Sequence, residues 1–324
     1  MQIYHHIRYA KAVRFGEPVL VTFDESMLDD STVVLCPQNK FRLGFIMGDG
    51  GEQTIQDEDC HFLSICTPSR YGNRPVLVWI HGGAYIAGSG GESAYDGAAL
   101  AEEGDIVVVS VTYRLGVFGY LYNPDGTPQN LGLKDQMTAL KWVHENISRF
   151  GGDPDQVTLA GQSAGGHSVA SLISYCKEPY FRKAIIQSAP LCFQFGEKFL
   201  KKQYHDFLDL LGKPVAEATT TEMLIIQKRL MEASGKSMCF SPYVPALGNE
   251  IACPSVEKVL ITWQKDDASP FVAMRLKHES CFGGAIDRLA TRLSTWFGFK
   301  AMSRPLVSRN VMAPWSPRKS RFRA

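Results

Sequence analysis

The sequence carries one short motif whose residue types and spacing suit covalent chemistry, the G-x-S-x-G pentapeptide of residues 161–165 with Ser163 at its centre. The run before it, residues 157–160, is apolar and rich in β-branched side chains, which predicts a buried strand. Behind it, apolar residues recur at three- and four-residue spacing from Val169 to Ile173, which predicts a helix. A serine on such a sharp strand-to-helix turn is raised above the sheet edge as a nucleophile, and flanking glycines leave room for the turn.

A second glycine-rich segment offers hydrogen-bond donors for a negatively charged oxygen. The apolar run Val76–Ile80 predicts a strand buried on both faces, and it leads directly into His81-Gly82-Gly83-Ala84-Tyr85. A glycine run after a strand exposes successive backbone N–H groups, and the amide of Ala164 at a helix N-terminus offers another. The alternative is a glycine-rich turn without a ligand. His81 is predicted to be structural rather than catalytic, because it lies at the strand end of the loop.

The remaining elements predict an α/β fold with a mostly parallel, doubly wound sheet. Buried strands are predicted at residues 106–112, 184–187 and 271–276, and a stripe of apolar residues from Leu133 to Ile147 predicts an amphipathic helix. Strands alternating with helices indicate a parallel sheet covered on both faces. Residues 196–260 are predicted to be an insertion of helices and loops that covers the carboxyl edge of this sheet.

Composition excludes several other classes of protein. The chain has 324 residues, with 34 Lys and Arg against 33 Asp and Glu, so its net charge of +1 gives no argument for nucleic acid. No signal-like or transmembrane apolar segment is found, which predicts a soluble cytoplasmic protein. Eight irregularly spaced cysteines predict neither a metal site nor a disulfide scaffold. The glycine-rich Met47–Glu52 matches no dinucleotide or phosphate-loop motif, so no cofactor is predicted.

The last part of the chain differs in composition from the rest. Residues 300–324 contain seven basic residues and no acidic one, and three prolines interrupt the apolar pattern. We therefore predict a domain at residues 1–285 and a basic tail at 286–324 that is not part of the native fold.

An ordered set of short strings resembles the type-B carboxylesterases, the α/β-hydrolases that include cholinesterases and bacterial p-nitrobenzyl-type esterases. The match runs from about Ile7 to Glu279, and its strings in chain order are residues 7–10 and 14–15, Cys36-Pro37-Gln38, Glu58-Asp59-Cys60, Tyr113-Arg114-Leu115-Gly116, residues 132–136 and residues 150–154. Gln162 departs from the family, where glutamate is commoner, as do His61 and Ser64. In many members the first two cysteines pair, which implies Cys36 and Cys60 here, although a reducing cytoplasm would disfavour that bond.

This resemblance implies hydrolysis of a small-molecule carboxylic ester. Ser163 would be the nucleophile, and Glu279, following a predicted strand, would be the acid of the catalytic triad. The oxyanion-hole amides would be those of Gly83, Ala84 and Ala164.

The resemblance also exposes a missing residue. The triad order in this fold is serine, acid, histidine, but none of the eight histidines follows Glu279. His167 lies on the helix of Ser163 and is predicted to point back along it, and His278 precedes the acid; either is a less favoured base. We expect instead that the α/β-hydrolase fold is incomplete at its C-terminal end. The alternative function is that of a truncated, catalytically impaired relic or a non-catalytic binding module.

Overall fold

The computed structural model describes residues 1–29, 32–39, 54–122, 130–191, 195–234, 240–242, 253, 255–265 and 267. The chain divides into two compact units, residues 1–263 and 264–324, and in the second unit only residues 264, 265 and 267 are described. The architecture below is that of the first unit. The predicted domain boundary at residue 285 lies outside the described residues and stays a prediction.

Eleven strands are present in the described part of the chain, and seven of them form one sheet in the order β1-β6-β8-β7-β9-β10-β11. The other four make two small two-stranded sheets, β2 with β3 and β4 with β5. The strands are β1 (Gln2–Arg8), β2 (Ala10–Lys11), β3 (Val19–Leu20), β4 (Val33–Leu35), β5 (Thr54–Gln56), β6 (Phe62–Thr67), β7 (Arg74–Ile80), β8 (Val107–Val111), β9 (Gly152–Gln162), β10 (Lys183–Gln187) and β11 (Lys258–Thr262).

Helices alternate with these strands along the chain, as the sequence predicts. They are α1 (Ala98–Gly104), α2 (Gly116–Tyr120), α3 (Leu131–Asn146), α4 (Ala164–Tyr175), α5 (Glu197–Leu211) and α6 (Thr220–Ser234). Along β8, Val107, Val109 and Val111 belong to the main core, whereas Val108 belongs to a smaller cluster with Ala101 of α1. The sheet is therefore covered on both faces. None of the helices within the described ranges is long and apolar enough to cross a membrane.

The pairing of the strands confirms the mostly parallel sheet and corrects one prediction. β8, β7, β9, β10 and β11 are successive parallel neighbours, while β6 pairs antiparallel with both β1 and β8. Residues 258–260 were assigned to the helical insertion, and this is wrong. They begin β11, which pairs in register with β10, Lys183 opposite Lys258. The predicted strand at residues 271–276 lies outside the described residues.

A buried ion pair joins two of the strings that carry the family resemblance. Asp135 of α3 accepts hydrogen bonds from the Arg114 backbone N–H at 3.0 Å, from its Nε at 2.8 Å and from its Nη2 at 2.6 Å. His61 Nε2 lies 3.2 Å from Asp135 Oδ1. Burial alone would raise the pKa of Asp135, but the charge of Arg114 and these hydrogen bonds hold it well below its usual range. The carboxylate stays ionised inside the core.

A second arginine connects the N-terminal segment to residues far along the chain. Arg14 donates from Nε to Glu58 Oε2 at 2.7 Å, and also to the Ala218 carbonyl at 2.5 Å and the Thr220 hydroxyl at 3.3 Å. The segment before β3 is thereby fastened to the start of α6.

Cys36 and Cys60 both lie in the main core, and each is a free thiol. The Cys36 sulfur accepts a hydrogen bond from the Leu115 backbone N–H at 3.2 Å. Its hydrogen bond with Cys60, together with burial, raises the pKa of the Cys60 thiol well above its ordinary value.

We predict that Asp135→Asn destabilises the protein by about 3–5 kcal/mol, because it leaves the buried Arg114 charge without its counter-charge. Asp105→Asn is the matched control. Asp105 is the exposed partner of Arg74, and pairs of that kind contribute about 0–1 kcal/mol. Chemical denaturation followed by circular dichroism gives the two free energies of unfolding, and equal effects would contradict the prediction.

Candidate active site

Ser163 lies at the turn between β9 and α4, where the sequence predicts it. Its backbone has φ 57° and ψ −120°, on the positive-φ, left-handed side of the Ramachandran plot, and such a conformation costs a non-glycine residue about 1–3 kcal/mol. Two backbone hydrogen bonds hold the turn: Ser163 N–H donates to the Gln187 carbonyl at the end of β10, and His167 N–H donates to the Ser163 carbonyl, each at 2.9 Å. Ser163 itself is partly exposed, whereas the first residues of α4, from Ala164 to Val169, are buried.

The two glycines of the motif are required by close backbone contact. A Cβ on Gly161 would lie 2.6 Å from the Gly165 carbonyl oxygen in the first turn of α4, and a Cβ on Gly165 would lie 2.7 Å from the His81 carbonyl oxygen and closer still to that of Ile80. Real Cβ contacts are longer than this, so the first turn of α4 can approach the end of β7 only with glycine at both positions.

The loop after β7 runs through three successive residues in the left-handed region, Gly83 at φ 100°, Ala84 at φ 56° and Tyr85 at φ 63°. The Gly83 carbonyl accepts hydrogen bonds from Ile86 N–H at 3.0 Å and Ala87 N–H at 3.1 Å, which turns the loop back on itself. Within the described part of the chain, the N–H groups of Gly83 and Ala84 have no acceptor. Two donors are therefore available to a ligand.

This loop contacts the Ser163 turn directly. A Cβ built on Gly82 would lie 2.9 Å from the Gln162 carbonyl oxygen and 3.3 Å from Ser163 Cβ. The amide of Ala164, the first residue of α4, likewise has no acceptor among the described residues. The structure thus brings together the Ser163 turn and the glycine-rich loop, the two segments to which the sequence assigns a nucleophile and its oxyanion donors.

His81 supports the loop from inside the protein. It is fully buried, its Nδ1 donates to the Gly82 carbonyl at 2.8 Å, and its ring stacks on Tyr113 with centroids 4.4 Å apart. The Tyr113 hydroxyl donates in turn to the His81 carbonyl at 2.9 Å. Burial lowers the pKa of His81 to about 4, so the imidazole is neutral at pH 7. This arrangement agrees with the predicted structural role.

His167 is also engaged away from the serine. Its Nδ1 lies 2.8 Å from the Tyr85 hydroxyl, and burial lowers its pKa to about 4. No histidine in the described ranges hydrogen-bonds the Ser163 hydroxyl, and Glu279 and His278 lie outside those ranges. The base and the acid predicted from the sequence therefore stay predictions.

The contact between Tyr85 and His167 was missed by the sequence analysis, which considered His167 only as a base. The available signal was a histidine and a serine, Ser168, at adjacent buried positions of a helix that buries mostly small and apolar residues. No cluster of residues suited to bind a metal ion occurs in the part of the chain that the structure describes.

The fold and this geometry define a class of protein. A mostly parallel sheet carries, at the carboxyl ends of adjacent strands, a left-handed serine that starts a helix and a glycine-rich loop that packs against it. That is an α/β-hydrolase fold with the strand–serine–helix turn of a nucleophile elbow.

Comparison with known proteins agrees with this class. The family model described as "Carboxylesterase family" matches residues 1–237, and the chain belongs to that family. It is 40% identical over 258 residues to a probable N-octanoylanthranilate hydrolase of Rhodococcus erythropolis, a match that covers 76% of this chain and 56% of the relative. It is 45% identical over 183 residues to the para-nitrobenzyl esterase of Bacillus subtilis (strain 168), covering 54% of this chain and 36% of the relative.

Solved structures give the same result. A thermophilic PNB esterase superposes with a TM-score of 0.71 at 33% identity, covering 83% of this chain and 60% of the other. The Geobacillus stearothermophilus carboxylesterase EST55 superposes with a TM-score of 0.67 at 28% identity, covering 90% of this chain and 65% of the other. The chain thus spans roughly one third to two thirds of the length of these four proteins.

We predict that the protein loses stability as the pH falls from about 6.5 to 4, because His81 and His167 are buried in the neutral form. The pKa of each is lower in the folded state than in the unfolded chain, so the unfolded chain binds protons first. The free energy of unfolding is therefore highest above pH 6.5, and it decreases as the pH falls below that value. Each unit by which folding lowers a pKa is equivalent to about 1.4 kcal/mol. The free energy of unfolding should therefore fall by about 3 kcal/mol for each histidine at pH 4.

Urea unfolding at pH 7, 5.5 and 4.5 measures this loss, with His167→Gln as the comparison. The variant is expected to lose less stability over that range than the parent chain, whatever its stability at pH 7. Identical losses would show that His167 is not protonated on unfolding.

Proposed function

We propose that this chain is a carboxylic ester hydrolase that forms an acyl-enzyme on Ser163. The observation that carries the proposal is the placement of Ser163 at the left-handed turn between β9 and α4, so close to the glycine-rich loop that a Cβ on Gly82 would lie 3.3 Å from the Ser163 Cβ. A serine held in a strained, part-exposed conformation is typical of a nucleophile, because a strained backbone persists only where the surrounding structure requires it. Membership of the carboxylesterase family supports ester hydrolysis as the reaction class.

In the proposed reaction, Ser163 Oγ attacks the ester carbonyl carbon while a base removes the hydroxyl proton. The carbonyl oxygen becomes an oxyanion, which accepts hydrogen bonds from the amides of Gly83, Ala84 and Ala164. Their lack of other acceptors in the described residues and the positive end of the α4 dipole both support this role. Removing one such donor costs about 2.7–4 kcal/mol of transition-state stabilisation. The alcohol leaves with the proton, and water then hydrolyses the acyl-enzyme.

The substrate we propose is a small-molecule ester. The net charge of +1 gives no attraction for nucleic acid. The relatives include a para-nitrobenzyl esterase of Bacillus subtilis and a phenmedipham hydrolase of Pseudarthrobacter oxydans, which supports small organic substrates as a class.

The base decides between this function and a second candidate. Seven of the eight histidines are described and none of them hydrogen-bonds the Ser163 hydroxyl, so His278 is the remaining candidate base among the given residues. The second candidate is a catalytically impaired or non-catalytic member of the family. The absence of a histidine at Ser163 among the described residues is the observation that favours this second candidate.

We predict that a fluorophosphonate probe labels the parent chain at Ser163 alone. Ser163→Ala should abolish labelling and reduce turnover of p-nitrophenyl butyrate by about 10⁶-fold, as nucleophile loss does in triad enzymes. Peptide mapping by mass spectrometry identifies the labelled residue, and labelling at another serine would refute the assignment.

His278→Ala in the same assays separates the two candidates. Loss of both turnover and labelling would assign the base to His278. A parent chain that binds the probe without reacting, or does not turn over the ester, would support the non-catalytic candidate.

The triad acid is tested by a second pair of variants. We propose Glu279, but Asp267 is an alternative on chain order: β11 ends at Thr262, and Asp267 follows that end by five residues. In α/β sheets, residues just after the carboxyl ends of strands supply functional groups. If Glu279 is the acid, Glu279→Gln should reduce kcat by about 10⁴-fold, the loss seen when a triad carboxylate becomes an amide, while Asp267→Asn leaves kcat near that of the parent chain. The reverse result would move the acid to Asp267.

A further inference from the structure

A chain of buried hydrogen bonds links the glycine-rich loop to the helix that carries Ser163. Gln136 Nε2 donates to Ser168 Oγ at 3.2 Å, Ser168 Oγ donates to the Tyr85 hydroxyl at 3.1 Å, and the Tyr85 hydroxyl lies 2.8 Å from His167 Nδ1. The Tyr85 hydroxyl has one proton to donate, and His167 Nδ1 is its hydrogen-bond acceptor among the described residues, so that proton points to Nδ1. The four side chains are buried, with Tyr85 fully inaccessible.

The Tyr85–His167 hydrogen bond joins the two segments of the candidate active site, the glycine-rich loop and the helix that begins after Ser163. Tyr85 directly follows Ala84, whose amide we assign to the oxyanion hole. His167 is one helical turn beyond Ser163, and its backbone N–H bonds the Ser163 carbonyl. Both Ala84 and Tyr85 have left-handed backbones, which persist only when surrounding contacts hold them. The Tyr85 carbonyl supplies one such contact by accepting from Gly116 N–H at 2.6 Å, and the hydroxyl supplies the other.

Packing alone does not account for the polar groups of this pair. The Tyr85 ring contacts the rings of Tyr120 and His167 edge to face, with centroids 4.8 Å and 5.8 Å apart, and phenylalanine would keep both contacts. His167 Nε2 has no hydrogen-bond partner among the described residues, which is a cost of burying the imidazole. Replacing both members of a buried polar pair by apolar groups of similar shape is often neutral or stabilising. What the polar pair adds is a fixed distance and direction between the loop and the helix.

We propose that Tyr85 is a positioning residue: its hydrogen bond to His167 holds the Gly83 and Ala84 amides in register with Ser163. This inference rests on the proposed function, since it assigns those amides to the oxyanion hole. Without the hydroxyl, the left-handed loop relaxes and the donors no longer face the developing oxyanion. Small displacements of this kind reduce rates by up to about a hundredfold.

The test is the second-order rate of Ser163 phosphonylation by a fluorophosphonate probe, with kcat and KM for p-nitrophenyl butyrate measured alongside. Tyr85→Phe is expected to slow labelling by about ten- to a hundredfold and to lower kcat while KM stays within about twofold. Tyr9→Phe is the matched control. This variant removes an equally buried hydroxyl, which donates to the Thr112 carbonyl at 2.8 Å and not to His167. It should be labelled at the parent rate.

A double variant separates positioning from packing. Tyr85→Phe with His167→Leu removes the orphaned imidazole, so the denaturation midpoint should return toward that of the parent chain while the labelling rate stays low. If rate and stability recover together, or if Tyr85→Phe labels at the parent rate, the inference is wrong.

Two further outcomes are informative. If Tyr85→Phe does not fold, His167→Leu breaks the same bond from the helix side and is expected to slow labelling equally; a parent-like rate there refutes the inference. If the parent chain is not labelled at Ser163 at all, the proposed function fails, and this inference fails with it.

Discussion

The candidate site depends on how closely the first turn of α4 approaches the end of β7. The absent side chain of Gly165 lets that turn rest against the Ile80 and His81 carbonyls, and Gly161 permits the same approach from the strand side. The loop after β7 begins at His81, so the contact that seats the helix also sets where the loop starts. The Ser163 turn and the loop that carries the proposed oxyanion donors therefore meet at one close backbone contact.

The pattern of apolar residues predicted the central strands, because a strand buried on both faces is a short continuous apolar run. β7, β8 and β10 are short apolar runs, and their parallel pairing follows from the helices between them. β11 was missed although Val259, Leu260 and Ile261 form an apolar run like those of the predicted strands; in the structure all three side chains remain exposed. β6 was not recognised either, although all six of its residues are buried between antiparallel partners.

The strand, turn and helix around Ser163 were predicted from local sequence alone, whereas the catalytic roles assigned there stay predictions. A pentapeptide contains its own turn, so Ser163 and its glycines could be found without coordinates. Side-chain pairing depends instead on register between elements: Tyr85 and His167 are 82 residues apart, and their contact follows from the seating of α4 on β7. The same holds for Arg114 and Asp135, which were recognised as family strings although nothing in the sequence showed that they bind each other. Both buried polar pairs connect elements that are distant in sequence, so their contacts follow from the packing of those elements.

The contacts of Arg14 bear on when the protein can finish folding during synthesis. Its partners Ala218 and Thr220 lie 204 and 206 residues further along the chain. A ribosome adds roughly 5–20 residues per second, so these partners are made about 10–40 s after Arg14 itself. Through that interval the N-terminal segment has Glu58 as an early partner but lacks the start of α6. Docking of the N-terminal segment is thus a late event of translation, and a chaperone that binds nascent chains would meet this surface uncovered.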